Sequence, residues 1–142
     1  MINNKIIKME KVTVLIEYTG NNYCAHAPIL LGCVSTAGTL DEMKKNIKEA
    51  IVFHVETSLE FNDSIPEVFK GSYELEFKLS TEALLNAYSD IFTKAALSRI
   101  TGINERQLWH YASGMRKPRP QQRKRIEDGL HRLGAELMNV SV

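Results

Sequence analysis

The sequence is poor in the features that mark enzymes, secreted proteins and membrane proteins. Its 142 residues include only two cysteines, Cys24 and Cys33, too few for a disulfide framework; in a cytoplasmic chain both would be reduced. No apolar run reaches the roughly 18 residues of a membrane span, and the opening MINNKIIKMEK lacks the apolar centre of a signal peptide. A cytoplasmic protein is therefore expected. Gly-rich phosphate loops and Ser/His/Asp arrangements are missing, as are internal repeats and low-complexity tracts. The first 80 residues contain no arginine.

That last absence uncovers an asymmetry hidden by the near-neutral net charge of +1. Residues 1–80 hold eight Lys and eleven acids, a balance of −3; residues 81–142 hold ten Lys/Arg and six acids, a balance of +4. Two unlike halves of one small chain point to two domains with different partners, expected at residues 1–79 and 80–142. The positive charge is concentrated further. From Lys94 through Arg125 nine Lys/Arg face a single acid, Glu105, so this segment carries +8, the kind of cluster that displaces counterions from a nucleic-acid backbone.

The basic segment has a readable helical pattern. Lys94 to Thr101 supplies a helix with Leu97 and Ile100 inward and Ser98 as a small residue at a crossing, and Gly102 permits a sharp turn. Asn104 is an N-cap, with Gln107 where the return bond of a capping box would originate. A second helix then runs from Glu105 to about Ser113. Ile103, Leu108 and Tyr111 or Ala112 recur at inward spacing, leaving Glu105, Arg106, Trp109, His110 and Ser113 outward, where a recognition helix presents side chains to base edges. Gly114 is a C-cap. Met115 to Pro120 forms a loop stiffened by Pro118 and Pro120 that carries Arg116, Lys117 and Arg119. A last helix, about Pro120 to Leu133, places Ile126, Leu130 and Leu133 on one face and begins with Arg123, Lys124 and Arg125.

The first half reads as β-β-β-α-β. Val12, Val14, Ile16 and Tyr18 alternate with Thr13, Leu15, Glu17 and Thr19, and Gly20-Asn21-Asn22 is a turn. A second strand runs from Tyr23 to about Ile29, with Pro28 at its end or on an edge, and a short third from Gly32 to Thr36. Thr39 caps a helix to about Leu59 whose inner face holds Leu40, Met43, Ile47, Ala50 and Ile51. Tyr73, Leu75, Phe77 and Leu79 line one face of a fourth strand, Ser72–Leu79. One helix covers only one face of such a sheet, so the other face or an edge is free for a partner. Ser80 caps a helix Thr81 to Tyr88 that opens the second half.

Competing chemistries are weak. A metal-dependent nuclease needs converging carboxylates, and the strands offer chiefly Glu17, Glu74 and Glu76, which read as solvated surface. Cys24, His26 and Cys33 form the one soft-ligand cluster, without a paired C-x-x-C. His54 reads as a half-buried packing residue. Trp109 either stacks near a nucleic acid or packs; packing is favoured because large aromatics are mostly buried. Arg123-Lys124-Arg125 is either a phosphate contact or a solvated helix face.

The order of parts resembles a known family. PILLGCVSTAGTLDEMKKNIKEAI resembles the HicB antitoxin pattern of a Pro, a Gly-Cys pair, a Gly-Thr helix entry and a helix ending Glu-Ala-Ile. TGINERQLWHYASGMRKPRPQQRKRIEDGLHRLGAEL is similar to the Cro/C1-type helix-turn-helix attached to some HicB proteins, and the two stretches together cover most of residues 12–140. The resemblance implies an α+β chain: a partial RNase H-like β-β-β-α-β domain that binds and suppresses a small ribonuclease toxin (HicA-like), then an all-α helix-turn-helix domain that represses the operon encoding both. Lys94 falls where the wider repressor group touches a phosphate, and Arg116, Lys117, Arg119 and Arg123 extend that set. Glu105, Arg106 and His110 fall where it reads bases, with Asn104 beside them. Two departures stand out: Glu105 is acidic where an amide is frequent, and Ser98 replaces Ala. Glu accepts a hydrogen bond from cytosine N4, so the first departure changes specificity rather than removing it. The expected protein is a non-enzymatic antitoxin and repressor without cofactor. It would act as a homodimer on operator DNA, with pairing into tetramers left open. The competing expectation is a transcriptional regulator whose first domain binds a small effector or another protein.

Overall fold

The computed structural model describes residues 9–142. It is a mixed α+β chain in which a four-stranded sheet is followed by helices, and it divides into two compact units, one ending at Leu79 and one beginning at Ser80.

In the first unit β1 (Glu10–Thr19) and β2 (Asn22–His26) form an antiparallel hairpin, turned at Gly20 with φ 71°. β3 (Val34–Ala37) pairs antiparallel with β2, while β4 (Tyr73–Leu79) pairs parallel with β1, giving the order β3-β2-β1-β4. A parallel pair needs a crossover, and α1 (Leu40–Glu60) lies within it. Thr39 caps α1 as the pattern predicts, its hydroxyl accepting from the Glu42 amide at 3.2 Å. Met43, Ile47 and Ile51 of α1 are buried with Val12, Val14 and Ile16 of β1 and with Tyr23 and Ala25 of β2.

Two strand limits differ from the sequence reading, and both differences have local causes. β2 stops at His26 instead of about Ile29, because the chain turns before Pro28 can interrupt a ladder; the Leu30 amide donates to the Ala27 carbonyl. β3 starts at Val34 instead of Gly32, since Gly32 is left-handed at φ 82° and the Cys33 amide closes a turn onto Leu30.

The second unit consists of α2 (Thr81–Ala87), α3 (Lys94–Thr101), α4 (Glu105–Ala112) and α5 (Pro120–Met138). Ser80, Thr93 and Asn104 cap the first three through side-chain oxygens. The core is Leu85, Leu97, Ile103, Leu108, Tyr111 and Ile126, so each of the four helices contributes to it, along with Ile103 in the turn before α4. α5 runs on to Met138, past the expected end near Leu133, because Ala135, Glu136, Leu137 and Met138 are good helix formers and Gly134 alone does not stop them.

The turn between α3 and α4 is held from several sides. Gly102 is left-handed at φ 74°, and its amide donates to the Ser98 carbonyl at 2.8 Å. Thr101 is buried; its hydroxyl donates to the Leu97 carbonyl and accepts from the Ile103 amide. The Arg125 guanidinium of α5 donates to the Gly102 carbonyl at 3.0 Å, and Arg132, two turns on, donates to the Ile100 carbonyl at 3.1 Å. Both satisfy carbonyls that a helix end leaves open. Between them Gly129 lets α5 approach α3 closely, since a Cβ there would lie 2.9 Å from the Ile100 carbonyl oxygen. Substitution Arg125→Met, which keeps the stem and removes the charged donor, should lower stability by about 1 kcal/mol in urea unfolding followed by circular dichroism. An unchanged midpoint would show that the bond contributes nothing to the fold.

Candidate nucleic-acid interface

The inward face of α4 is anchored by Leu108 and Tyr111, which are buried, and by Ile103 just before it. Helical geometry then sends Glu105, Arg106, Trp109 and Ser113 to the opposite side, and all four are exposed. His110 is only half-buried. Its Nδ1 is enclosed without a hydrogen-bond partner, while its carbonyl accepts from the Ser113 hydroxyl and the Arg116 amide, both at 3.2 Å. Any contact it makes with a ligand must therefore use the rest of the ring.

Asn104 is exposed, and its Oδ1 accepts from the Gln107 amide at 2.8 Å, which leaves the Nδ2 donors for other partners. The expected return bond of a capping box does not form. Gln107 instead turns its Nε2 to the Tyr111 hydroxyl at 2.8 Å, one turn along the same helix. The far end of α4 is tied to α2, where Asn86 Nδ2 donates to the Ala112 carbonyl at 2.8 Å. Gly114, left-handed at φ 77°, then starts the loop to α5.

Most cations of the second unit fall into two groups. Arg125 and Arg132 hold carbonyls of α3 and its turn, and Lys124 pairs with Asp128 at 3.2 Å on the exposed side of α5. Arg106, Arg116, Lys117, Arg119 and Arg123 are exposed, and among the described residues their side chains make no hydrogen bond or ion pair. The basic run at the start of α5 is thus divided: Arg125 serves the fold, and Arg123 is left to solvent.

Lys94 and Trp109 both depart from their expected settings. Lys94, read as an exposed phosphate contact, is 7% exposed, with Nζ 4.5 Å from the centroid of the Trp109 ring. Trp109 is 59% exposed, which agrees with its outward place in the helical pattern and not with the favoured packing role. Burial of one and exposure of the other are a single event, since the ammonium sits against the indole and the long stem of the lysine is covered.

In the first unit the strand register sorts side chains by face. Lys11 lies opposite Glu74, Thr13 opposite Glu76 and Leu15 opposite both Lys78 and His26, all on the face away from buried Val12, Val14 and Ile16. This second face is half-exposed to exposed throughout. Beside it the β2–β3 connection presents Ile29 and Leu31, the latter 88% exposed, and β3 presents Val34. Among the described residues no group of three or more His, Cys, Asp or Glu converges as a metal site would require. Burial pushes the Cys33 thiol up, away from the thiolate form that binds metals. No described helix is long and apolar enough to cross a membrane.

Comparison with known proteins finds two partial matches. The chain is 39% identical over 54 residues to an uncharacterized 14.9 kDa protein in the rep-hol intergenic region of Haemophilus phage HP1 (strain HP1c1); the match covers 38% of this chain and 41% of that protein. A family model described as HicB_like antitoxin of bacterial toxin-antitoxin system matches residues 12–85. That span includes β1 from Val12 on, the other three strands, α1 and the start of α2, and it makes up more than half of the sequence. The chain belongs to the HicB-like antitoxin family of bacterial toxin–antitoxin systems.

Proposed function

We propose that the protein is an antitoxin and repressor in two parts. The first unit, residues 1–79, binds and neutralises a small ribonuclease toxin of the HicA-like kind. The second, residues 80–142, acts as a Cro/C1-type helix-turn-helix that binds the operator of the protein's own operon. The protein does this without enzymatic activity or cofactor, in the cytoplasm. Family membership supports the antitoxin role, and the β-β-β-α-β order supports reading the first unit as a partial RNase H-like domain. The DNA reading is carried by one observation: α4 exposes Glu105 and Arg106 beside cations that have no anionic partner among the described residues.

Roles follow from chemistry. Arg106 presents a planar fork of donors suited to guanine O6 and N7, and Glu105 accepts from cytosine N4. Asn104 offers its remaining amide donors at the same end of α4, and His110 its accessible ring edge further along. Arg116, Lys117, Arg119 and Arg123 hold phosphates, which sets register but carries no sequence information. In the first unit, the negative balance complements a basic nuclease, and the sheet face opposite α1, with the exposed Leu31 and Val34 beside it, is the surface for the toxin.

A dimer completes the DNA reading, because one short recognition helix reads only a half-site. Two such helices about 34 Å apart match one turn of duplex. The second unit has a surface for this pairing: an apolar groove of about 280 Å³ lined by Leu84, Tyr88, Phe92, Leu130, Leu133 and Leu137. The apolar stripe of α5 continues through Leu133 to exposed Leu137, beyond the unit's own core, and a second copy of the stripe is its natural cover.

Three measurements test these parts separately. In gel-shift competition Arg106→Ala should cost about 1–3 kcal/mol on the operator and relax specificity, whereas Arg116→Ala or Arg119→Ala should weaken every duplex and reduce the salt slope by about 1; equal affinity of the native protein for all duplexes defeats the repressor reading. Co-expression with the product of the adjacent short reading frame should restore growth and give a complex that co-purifies, even for the Arg106→Ala variant. Failure on both counts removes the antitoxin reading whatever the DNA result. Leu137→Glu should shift the protein from dimer to monomer in sedimentation velocity, and a native protein that sediments as a monomer at every concentration rules the dimer out.

A further inference from the structure

We infer that Trp109 reads sequence by apolar contact with thymine C5-methyl groups, and that Lys94 is a positioning residue which holds the indole for that contact. The inference rests on the DNA-binding reading of α4. It adds a residue that the polar set Glu105, Arg106 and His110 does not include.

The placement of Trp109 is the first reason. It lies four residues after Glu105 and four before Ser113, on the exposed stripe of α4 and away from the buried Leu108 and Tyr111. An indole is the largest apolar side chain, and here 59% of the residue is open to water. The unit's core has Leu108 as its neighbour in sequence and does not use it. A surface of this size costs free energy in water that is recovered only when something apolar covers it.

Lys94 is the second reason. It is the first residue of α3, where the positive end of the helix disfavours a cation, and it is 7% exposed. Among the described residues its ammonium has no hydrogen bond and no ion pair; its one polar interaction is with the Trp109 ring, at 4.5 Å from the centroid. An ammonium within about 6 Å of an indole centroid is attracted by the ring's negative face. The contact joins the start of α3 to the outward face of α4, so it fixes the ring's tilt. It also covers one side of the indole and turns the rest outward.

Base-edge chemistry supplies the partner. The major-groove edges of all four bases are polar except for the C5-methyl of thymine. A flat hydrocarbon surface held among polar readers therefore favours A·T pairs at its position and leaves a polar edge unpaired at others.

The test uses the full-length protein and the duplex it enriches from a random-sequence pool, with each thymine replaced in turn by uracil, which deletes the methyl and keeps the pairing. Wild-type affinity should fall about fourfold at one or two positions of each half-site, the loss expected for one buried methyl. Trp109→Ala should remove that sensitivity. Trp109 is the only tryptophan of the chain, so its fluorescence should change on binding. Lys94→Met should reduce the methyl sensitivity at an unchanged salt slope, and Lys94→Arg should restore it. Uracil substitution without effect on the wild-type protein overturns the inference and requires no variant to fold. So does a salt slope lowered by about 1 in Lys94→Met, which would make Lys94 a phosphate ligand. If the pool yields no preferred duplex, the DNA-binding reading itself fails and takes this inference with it; a preferred duplex blind to the methyl leaves that reading standing and removes only Trp109.

Discussion

The outward face of α4 is usable because the turn that precedes it is fixed. Gly102 adopts a backbone conformation that other residues enter only with strain, and this sets the angle at which α4 leaves α3. Thr101 bonds both sides of the turn, and Arg125 reaches from α5 to its carbonyl. Close contact of Gly129 with the last turn of α3 then makes α5 a brace. With the turn rigid, burial of Leu108 and Tyr111 decides where every other side chain of α4 points. A loose turn would leave the same residues on the same helix with no defined surface.

Much of this was legible because it is local. The starts of α1, α2 and α4 follow from Thr39, Ser80 and Asn104, each of which hydrogen-bonds an amide three residues on. The residues Leu97, Ile103, Leu108 and Ile126 follow from helical spacing, and those of β1 from alternation. What could not be read is which of several partners within reach, near or distant in sequence, a polar side chain takes. Arg125 belongs to a run of three cations whose members look equivalent, yet only Arg125 faces the Gly102 carbonyl, and Lys124 faces Asp128. Gln107 had a local option in the capping box, and the Tyr111 hydroxyl won it instead. Lys94 is buried at the start of α3 because its ammonium lies against the Trp109 ring across the α3–α4 angle. No single helix pattern contains that information.

The charge asymmetry between the halves has different structural meanings on the two sides. In the second unit Arg125 and Arg132 are used within the fold, and most of the remaining positive charge lies on α4, the loop after it and the start of α5, with Arg99 exposed on α3. In the first unit the acids are spread: Glu74 and Glu76 stand on the exposed side of β4, opposite Lys11 and Thr13, and others lie along α1. Such a surface is negative on average but has no single focus. Its apolar exposures, Leu31 and Val34 among them, are the more localised feature.

The parallel pairing of β1 with β4 also bears on how the protein forms. Glu10 pairs with Tyr73 and Ile16 with Leu79, so the strands that complete the sheet come from opposite ends of the unit's sequence. Non-local pairing of this kind is slow, because the intervening chain must be ordered before the contact repays its entropy. The helices of the second unit follow one another through short turns and gain many of their contacts locally. Synthesis runs from the N-terminus, so β1 emerges well before β4, and its edge has no strand to pair with until Tyr73–Leu79 follows.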